Sequence, residues 1–381
     1  QMLMEFPWIE VVHADSSEAR LLCHDWGENF SLELKQNGQV RDWRRLGDTL
    51  VIPNPMLWWP IHMGDQPLYE ARWMHRTSRQ VHLEHWGLRD LEWVQTPDAH
   101  GTSFQMTVQG VPVFARGSNV VPPDFHDFTD EDEWLDLVEN AVDANMNMLR
   151  VWGGGVYPPT TFFEACDARG ILVWQDFMFA CAMVPDKPEF RDNVKAEATE
   201  QVKRLRHHPS LAIWCGNNEV AKAWQAWGWQ EMYNLHGQDS SRVAQAASAI
   251  FDGLLSVVVD EHSATFYLPT SPTLDKNGGD AHAWGIWFGK EPWDYYSRHE
   301  GRFASEYGLQ SLPHLATLNE AGIDAFQDEA LQFRQRSKMD WLEPGFDGWD
   351  MMHHYMSTTI GAPAQDSLET WIVQSQMAQA E

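Results

Sequence analysis

Two glutamates stand directly after apolar segments and could carry out acid–base or nucleophilic chemistry. Glu219 follows an apolar run and two carboxamides, Asn217 and Asn218, and Glu306 follows Phe303-Ala304-Ser305. Hydrolysis of an acetal needs such a pair, because one carboxyl group protonates the leaving oxygen while the other attacks or activates water from the opposite side. A single glutamate after a strand is more often a helix cap or a salt-bridge partner. The pair, together with Asn218 and several tryptophans, therefore indicates acetal chemistry more strongly than either glutamate alone.

Other polar and aromatic side chains follow further predicted strands. In a barrel of parallel strands such positions meet at one mouth, because active sites lie at the carboxyl ends of the strands. Glu219 and Glu306 are 87 residues apart (306 − 219), about three strand–helix units, which predicts that they face each other across that mouth. The accompanying residues are Arg150, Trp152, Trp174, Gln175, Asp176, His282, Trp284, Trp287 and Tyr307.

Three other motifs suggest different chemistry but lack the partners that it requires. Gly153-Gly154-Gly155 is not followed by Lys-Ser/Thr, so a tight turn against a sugar is favoured over a phosphate loop. His207-His208 precedes Pro209 at the amino end of a predicted strand, which is typical of a helix end and not of a metal site. Ser305 lacks the glycine pattern of a nucleophile elbow. No metal and no organic cofactor is therefore predicted.

Residues 113–380 alternate between predicted strands and predicted helices. Seven strand–helix units predict a parallel sheet, and this number favours a closed (β/α)8 TIM barrel over an open sheet, with the eighth strand missing. One predicted helix begins at Thr129, whose hydroxyl is expected to cap it, and a second begins at Pro159. Further predicted helices cover about 189–206, 241–259, 315–338 and 367–380. The predicted strands are Val113–Gly117, Met148–Trp152, Ile171–Gln175, Leu211–Cys215, Thr265–Leu268, Trp284–Phe288 and Arg302–Ser305.

Residues 1–98 have a different sequence pattern, because their apolar residues do not recur with a helical period. Short runs of alternating apolar and polar residues, such as Ser31–Lys35 and Gln80–Glu84, are broken by turn signals such as Asn37-Gly38. About seven such strands predict a β-sandwich. The predicted organisation is a β-sandwich over residues 1–98 followed by a catalytic TIM barrel over 99–381 that is incomplete at its C-terminal end.

The composition limits the partners and the compartment. The chain has 381 residues, with 27 basic and 55 acidic residues and a formal net charge of −28. Nucleic acids and anionic membrane surfaces require basic patches, so neither is predicted as a partner. No segment approaches the ~18–20 apolar residues of a membrane span. A soluble protein of bacterial type is expected, either cytoplasmic or periplasmic, and the sequence does not decide between the two.

Cysteine and tryptophan usage adds two expectations. The four cysteines, Cys23, Cys166, Cys181 and Cys215, are too scattered for a disulfide framework or a zinc knuckle and are interpreted as reduced core thiols. The 21 tryptophans are consistent with a large aromatic core or with platforms for sugars, because the C–H faces of pyranose rings pack against indoles.

Several motifs, taken in order, resemble the β-mannosidases of glycoside hydrolase family 2. The resemblance runs over nearly the whole chain and implies an immunoglobulin-like β-sandwich followed by a TIM barrel. Arg116–Asn119 resembles the entry into that barrel, and Asn54–Pro60 with Gly64–Tyr69 resembles the end of the immunoglobulin-like domain. The other motifs are Asn147–Gly155, Trp174–Cys181, Cys215–Glu219, Trp284–Trp287 and Ser305–Ser311.

The resemblance implies a retaining exo-hydrolase that releases terminal β-D-mannose from β-mannosides and manno-oligosaccharides by double displacement. Glu219 would be the general acid/base, Glu306 the nucleophile, and Asn218 a partner of the sugar 2-hydroxyl, which is axial in mannose. Glu219 would then be protonated at rest, favoured by burial or by the like charge of Glu306. The remaining substrate-binding residues would be Arg150, Trp152, Asp176, His282 and Trp284.

Two alternatives stay open, and the sequence also departs from the family pattern. The alternatives are another exo-β-glycosidase of the family (a galactosidase, glucuronidase or glucosaminidase) and a non-catalytic carbohydrate-binding fragment; Asn217-Asn218-Glu219 beside the triple glycine favours the mannosidase. Val120 stands where the family usually carries tryptophan, and the first sandwich domain, the eighth strand and the later β-domains are absent. We therefore expect a fragment of a longer enzyme, whose partners are a small carbohydrate and the remaining domains.

Overall fold

The structure is a computed structural model and describes residues 5–124, 126–274, 279–298, 301–335, 337–363 and 367–381. The chain divides into two compact units, Gln1–Asp280 and Ala281–Glu381. The first unit contains antiparallel sheets followed by a parallel sheet with helices, and the second unit is mostly helical.

The amino-terminal part of the first unit is a sandwich of two four-stranded antiparallel sheets. Its strands are β1 (Trp8–Ala14), β2 (Glu18–His24), β3 (Phe30–Gln36), β4 (Gln39–Val40), β5 (Arg44–Leu46), β6 (Thr49–Pro53), β7 (Tyr69–His75) and β8 (Val81–Trp86). The strand orders are β1-β2-β6-β5 and β4-β3-β7-β8. Buried residues from both sheets, among them Leu21 and Trp73, belong to one apolar cluster, so the sheets pack face to face.

The predicted strands in this sandwich are confirmed where the sequence alternates most clearly. Residues 31–35 lie in β3 and residues 81–84 in β8. In β3, Leu32 and Leu34 are buried between less buried neighbours, as expected of a strand with one face on a core. The turn between β3 and β4 is Asn37-Gly38, with φ of +49° and +74°. A two-residue hairpin turn of this kind needs left-handed backbone at both positions, which explains the Asn-Gly pair.

A three-stranded sheet covers the amino ends of the parallel strands that follow. It consists of β9 (Leu91–Val94), β12 (Gln105–Val108) and β13 (Val111–Pro112) in the order β13-β12-β9, beside the hairpin of β10 (Pro97–Asp98) and β11 (Gly101–Thr102). The Trp93 indole N–H donates to the Ala212 carbonyl at 2.9 Å, and its ring stacks on Phe266 with centroids 5.8 Å apart.

A five-stranded parallel sheet forms the rest of the first unit. Its strands, hydrogen-bonded in chain order, are β14 (Gly117–Val120), β15 (Met148–Val151), β16 (Leu172–Asp176), β17 (Leu211–Cys215) and β18 (Tyr267–Leu268). Every residue of β15, β16 and β17 is buried, as expected of strands covered on both faces. The predicted strands near 148, 171, 211 and 265 are confirmed. Within the described residues, hydrogen bonding links five parallel strands and does not itself close a barrel.

The first predicted strand of this sheet lies four residues too early. The structure pairs Val111–Pro112 with β12 in a hairpin and starts the parallel strand at Gly117. A Cβ atom at Gly117 would lie 1.8 Å from the Met148 carbonyl oxygen, so the backbones approach there more closely than a side chain allows.

Helices cover one face of the parallel sheet. They are α1 (Glu131–Asp143), α2 (Thr160–Arg169), α3 (Pro188–Leu205), α4 (Val220–Ala226), α5 (Trp229–Met232), α6 (Gln238–Ser248) and α7 (Leu255–His262), with a π-helical turn at Ala249–Leu254. Buried side chains such as Val138, Val202 and Val258 share one apolar cluster with Leu149 and Val173 of the strands. The predicted end of the second helix is confirmed, because Gly170 closes α2 in a left-handed conformation.

The cap predicted for α1 is wrong by one residue. Asp130 is the N-cap, and its side chain accepts the N–H of Asp132 at 3.1 Å. The Thr129 hydroxyl instead donates to Asp127 Oδ1 at 2.6 Å, outside the helix.

One helical run in the described residues is long and apolar enough to cross a membrane by length and composition, contrary to the expectation that no segment is. It covers Gln238–His262, which is α6, the π-helical turn and α7. Three of its apolar side chains, Ile250, Leu255 and Val258, are buried in the core of the first unit.

The second unit contains two paired strands and six helices within the described residues. They are β19 (Asp280–Ala283, beginning at the last residue of the first unit), α8 (Gly285–Gly289), α9 (Tyr295–Arg298), β20 (Phe303–Tyr307), α10 (Leu315–Glu320), α11 (Glu329–Arg334), α12 (Gly348–Thr359) and α13 (Leu368–Ala380). The core of the unit includes Trp287, Met351 and Trp371.

The strand predicted at Trp284–Phe288 is wrong, since this segment forms the short helix α8. Ile286 and Trp287 are buried, and Lys290 ends the helix with a left-handed φ of +57°. Five apolar residues are too few for periodicity to separate a buried strand from a buried helix. The segment predicted as one helix over 315–338 contains two short helices, α10 and α11, because the chain turns between them.

The sandwich and the parallel sheet meet at a polar joint within the first unit. The Trp58 indole N–H donates to the Asp167 carbonyl at 2.8 Å, and Arg89 Nη2 donates to the Leu211 carbonyl at 2.6 Å. A Cβ atom at Gly87 would lie 2.6 Å from the Pro209 ring, so the end of β8 lies directly against the loop before β17.

Titratable side chains gather at this joint. His82 Nε2 lies 3.1 Å from Glu84 Oε1, and this bond raises the pKa of His82. His208 Nδ1 lies 2.6 Å from Asp167 Oδ2, with both side chains buried. Between these pairs, desolvation and the neighbouring His208 lower the pKa of His207 from 6.5 to about 4.

We predict that His207 makes the stability of the first unit depend on pH. A histidine whose pKa is lower in the folded state contributes stability that is complete above pH 6.5 and is lost as the pH falls towards 4, by roughly 3 kcal/mol at most. Replacing His207 by Gln should remove this part of the pH dependence. The measurement is the melting temperature of the parent and of His207→Gln between pH 7.5 and 4.5.

The control for this prediction is His236→Gln, because His236 is exposed. It should melt with the same pH dependence as the parent. An unchanged pH dependence in His207→Gln would contradict the prediction.

Candidate active site

Four predicted site residues lie at the carboxyl ends of three neighbouring parallel strands. Arg150 belongs to β15, Asp176 ends β16, and Asn218 and Glu219 follow β17. The strands pair in parallel register, with Arg150 opposite Trp174 and Asp176 opposite Cys215. Strand order therefore brings together residues that are separated by 26 to 69 positions in the sequence (176 − 150 and 219 − 150).

The guanidinium of Arg150 connects two of these residues. Its Nη2 donates to Asp176 Oδ2 at 2.9 Å and to Asn218 Oδ1 at 2.8 Å, and its Nη1 lies 3.4 Å from Asn119 Oδ1. Arg150 is 5% exposed, and its guanidinium carbon lies 5.5 Å from the centre of the Trp174 ring. A buried guanidinium needs both a counter-charge and acceptors for its N–H groups, and Asp176 and Asn218 supply them.

The carboxylate of Asp176 is fully buried and accepts hydrogen bonds on both oxygens. Trp174 Nε1 donates to Oδ1 at 2.7 Å, and the backbone N–H of Gly153 donates to Oδ2 at 3.0 Å. Trp174 and Asp176 are two residues apart on β16, so their side chains lie on the same face of the sheet. Asp176 therefore fixes Arg150 on one side and the turn after β15 on the other.

The turn at Gly153-Gly154-Gly155 is tight because protein atoms surround it. A Cβ atom at Gly153 would lie 2.7 Å from the carbonyl oxygens of Phe177 and Phe179. A Cβ atom at Gly154 would lie 2.1 Å from the indole of the partly buried Trp152, so that ring lies over the glycine. The tight turn that the sequence predicts is thus explained by packing.

The amide of Asn218 has one orientation. Arginine can only donate, so the atom that faces Arg150 must be the carbonyl oxygen Oδ1. The Nδ2 group then lies 3.6 Å from Cys181 Sγ and 3.5 Å from Glu219 Oε2. The buried ion pair thus sets which side of Asn218 faces Glu219.

Asn217 shapes the turn that presents Glu219. Its Oδ1 accepts the Val220 N–H and the Thr270 hydroxyl, both at 3.0 Å, and its Nδ2 donates to the Pro269 carbonyl at 2.9 Å. This carboxamide connects the start of α4 to the segment after β18, so Asn217 has a structural role in the turn.

Glu219 itself has a left-handed backbone, with φ of +60° and ψ of 4°. Its N–H donates to the Ser271 carbonyl and its own carbonyl accepts the Ala223 N–H, both at 2.7 Å. A left-handed conformation costs a residue other than glycine about 1 kcal/mol or more and is found preferentially at functional sites. The side chain is partly buried, and its Oε2 lies 3.4 Å from Cys181 Sγ.

In the second unit, three predicted site residues are in contact with one another. Glu306, in β20, is 7% exposed. Trp284 Nε1 donates to Glu306 Oε2 at 2.9 Å, and His282 Nδ1 lies 3.1 Å from the same oxygen. An ionised carboxylate can only accept, so the His282 tautomer that fits carries its proton on Nδ1. Two ring N–H groups thus hold Glu306.

Comparison with known proteins shows similarity to one group of enzymes along nearly the whole chain. Beta-mannosidase B of Aspergillus fumigatus is 34% identical over 403 residues, covering 99% of this chain and 45% of that protein. Beta-mannosidase B of Aspergillus niger is 35% identical over 352 residues, covering 87% of this chain and 40% of that protein. No protein-family model matches the chain.

Solved structures agree with this similarity. The β-D-mannosidase of Dictyoglomus thermophilum superimposes with a TM-score of 0.80 at 29% identity, covering 98% of this chain and 47% of that chain. The chain is related to the β-mannosidases of glycoside hydrolase family 2. The exo-chitosanase of Amycolatopsis orientalis shares the fold, with a TM-score of 0.61 at 18% identity, covering 97% of this chain and 45% of that one. The chain spans less than half the length of the curated proteins that it matches.

One residue that lies beside Glu219, Cys181, was not among the predicted site residues. The interpretation of the cysteines as core thiols is confirmed for Cys23, Cys166 and Cys215, which are buried and free. It is wrong for Cys181, which is exposed because it lies in the loop beyond β16. The signal was present in the motif Trp174–Cys181, which ends on this residue.

We predict that replacing Arg150 by Met lowers the free energy of unfolding of the protein by about 3–5 kcal/mol. Removing one partner of a buried ion pair leaves the other charge uncompensated, here on Asp176. The measurement is denaturant unfolding of the complete protein that carries this sequence.

The matched control is Arg169→Met. Arg169 Nη2 lies 2.7 Å from Glu139 Oε1, but both side chains are about half exposed. An exposed pair of this kind contributes about 0–1 kcal/mol. Equal small losses in the two variants would contradict the structural role assigned to Arg150.

Proposed function

We propose that the protein carrying this chain is a retaining exo-β-mannosidase. It hydrolyses terminal non-reducing β-D-mannose residues of β-mannosides and manno-oligosaccharides by double displacement. The observation that carries the proposal is the constellation after β17, where a glutamate with left-handed backbone stands beside an asparagine whose amide is oriented by a buried ion pair. The similarity to β-mannosidases over nearly the whole chain supports the choice of sugar.

In this proposal Glu219 is the general acid/base. It protonates the glycosidic oxygen in the first step and deprotonates water in the second. Asn218 donates its Nδ2 to the axial 2-hydroxyl of mannose, a bond that strengthens as the oxocarbenium-like transition state forms. Its orientation by Arg150 supports this role, since the donor side faces away from the ion pair.

Glu306 is the nucleophile of the proposed mechanism. It attacks the anomeric carbon and forms a mannosyl-enzyme ester, which water then cleaves. The attack requires a carboxylate held in one orientation, and the N–H groups of Trp284 and His282 support this by donating to Oε2.

In this proposal the other predicted substrate-binding residues have different roles, which depend on how deeply their side chains are buried. Trp152 and Trp284 line the sugar site, and His282 acts there through Glu306. Arg150 and Asp176, buried and bound to each other, act by orienting Asn218. The sandwich over residues 1–98 is an immunoglobulin-like domain, and residues 99–381 supply strands of a (β/α)8 barrel. The partners are a small carbohydrate and the remaining domains of the enzyme.

We predict that Glu219→Ala separates substrates by their leaving groups. Hydrolysis of phenyl β-D-mannoside needs acid assistance, so kcat/KM should fall by roughly 10²–10⁴-fold. Hydrolysis of 2,4-dinitrophenyl β-D-mannoside needs little acid assistance, so kcat/KM for this substrate should stay near the parent value. Azide, a nucleophile that needs no base, should raise kcat on the second substrate and yield β-D-mannosyl azide.

The comparison for this experiment is the parent protein with aryl β-galactoside, β-glucuronide and β-glucosaminide. Mannoside should be the preferred substrate. Equal losses on both leaving groups in Glu219→Ala would contradict the acid/base assignment, and preference for another sugar would contradict the substrate assignment.

We predict that a 2-deoxy-2-fluoro-β-D-mannosyl fluoride labels Glu306. The fluorine slows hydrolysis of the mannosyl ester, so that the intermediate accumulates and the labelled peptide can be identified by mass spectrometry. Glu306→Gln should not be labelled and should lose hydrolysis of both aryl mannosides. A label on a different carboxylate would show that the nucleophile has been assigned wrongly.

A further inference from the structure

The thiol of Cys181 lies beside the proposed acid/base because strand pairing continues beyond the ends of β16 and β17. The Phe177 N–H donates to the Cys215 carbonyl and the Asn218 N–H to the Phe179 carbonyl, both at 2.8 Å. The Cys181 N–H then donates to the Asn218 carbonyl at 3.0 Å. These bonds fix the backbone of Cys181 relative to that of Glu219.

The backbone of Cys181 is left-handed, with φ of +49°. Glycine adopts this conformation without cost, whereas a residue with a Cβ atom is strained by about 1 kcal/mol or more. The thiol donates to Glu219 Oε2 at 3.4 Å, and the Asn218 amide lies 3.5 Å from the same oxygen. Two donors therefore converge on Oε2.

From this geometry we propose that Cys181 is a positioning residue for Glu219. Its S–H, with the Nδ2 group of Asn218, holds Oε2 as the acceptor oxygen of the carboxyl group, so that Oε1 carries the proton that is transferred to the leaving group. The inference rests on the proposed function of Glu219 as acid/base. The thiol of Cys181 would therefore affect proton transfer by Glu219 and would not affect nucleophilic attack.

The experiment uses the complete protein with Cys181→Gly, Cys181→Ser and the parent. Cys181→Gly removes the thiol and relieves the left-handed strain, so its melting temperature should equal or exceed that of the parent. Its kcat/KM on phenyl β-D-mannoside should nevertheless fall by about 10- to 100-fold, because a misplaced acid transfers its proton poorly. Its kcat/KM on 2,4-dinitrophenyl β-D-mannoside should be unchanged. Cys181→Ser keeps an O–H donor and should restore most of the loss.

The control is Arg79→Gly. Arg79 is also left-handed, with φ of +61°, but lies in an exposed turn of the sandwich between β7 and β8. It should keep the parent activity on both substrates.

The outcomes separate this inference from the proposed function. If the parent hydrolyses neither mannoside, the proposed function fails. If the parent hydrolyses both and Cys181→Gly matches it on both, the function stands and the role of Cys181 is overturned. Equal losses of Cys181→Gly on the two substrates would also overturn it, because they would indicate a general effect on the site and not one on proton transfer.

Discussion

The arrangement after the parallel strands depends on one buried ion pair, between Arg150 and Asp176. Placing two charges in a protein interior costs several kcal/mol for each, and only close geometry with further hydrogen bonds offsets that cost. Here Trp174 and Gly153 donate to Asp176, while Arg150 donates its second strong bond to Asn218. The ion pair therefore also determines which way the Asn218 amide points.

The segments beyond β16 and β17 extend this order towards Glu219. Backbone bonds link the two segments at each step, and Asn217 ties the turn to the segment after β18. As a result Glu219 and Cys181 both occupy left-handed conformations that neither residue would choose alone. In the second unit, Glu306 is held by side-chain donors, from Trp284 and His282, and not by backbone strain. The two carboxyl groups are thus positioned by different physical means, as suits two different roles in the proposed mechanism.

The opposite end of the parallel sheet is held by polar contacts of another kind. Trp93 and Arg89 donate to the backbone at the start of β17, and histidines and carboxylates line the joint with the sandwich. Site and joint are separated by the length of the strands. The pH-sensitive groups of the joint therefore bear on the stability of the first unit, whereas the ion pair of Arg150 bears on both stability and the orientation of Asn218.

The alternating strands of the sandwich, the strands that carry Arg150 and Asp176, and the family resemblance could all be predicted from the sequence. The sequence was sufficient there because these segments have a clear period and distinctive motifs. It failed at Trp284–Phe288, where five apolar residues fit a strand or a helix equally well, and at the cap of α1, which is Asp130 and not Thr129. The orientation of Asn218 by Arg150 and the position of Cys181 beside Glu219 became visible only in the folded chain, because those contacts join neighbouring strands whose order and register are not encoded locally in the sequence.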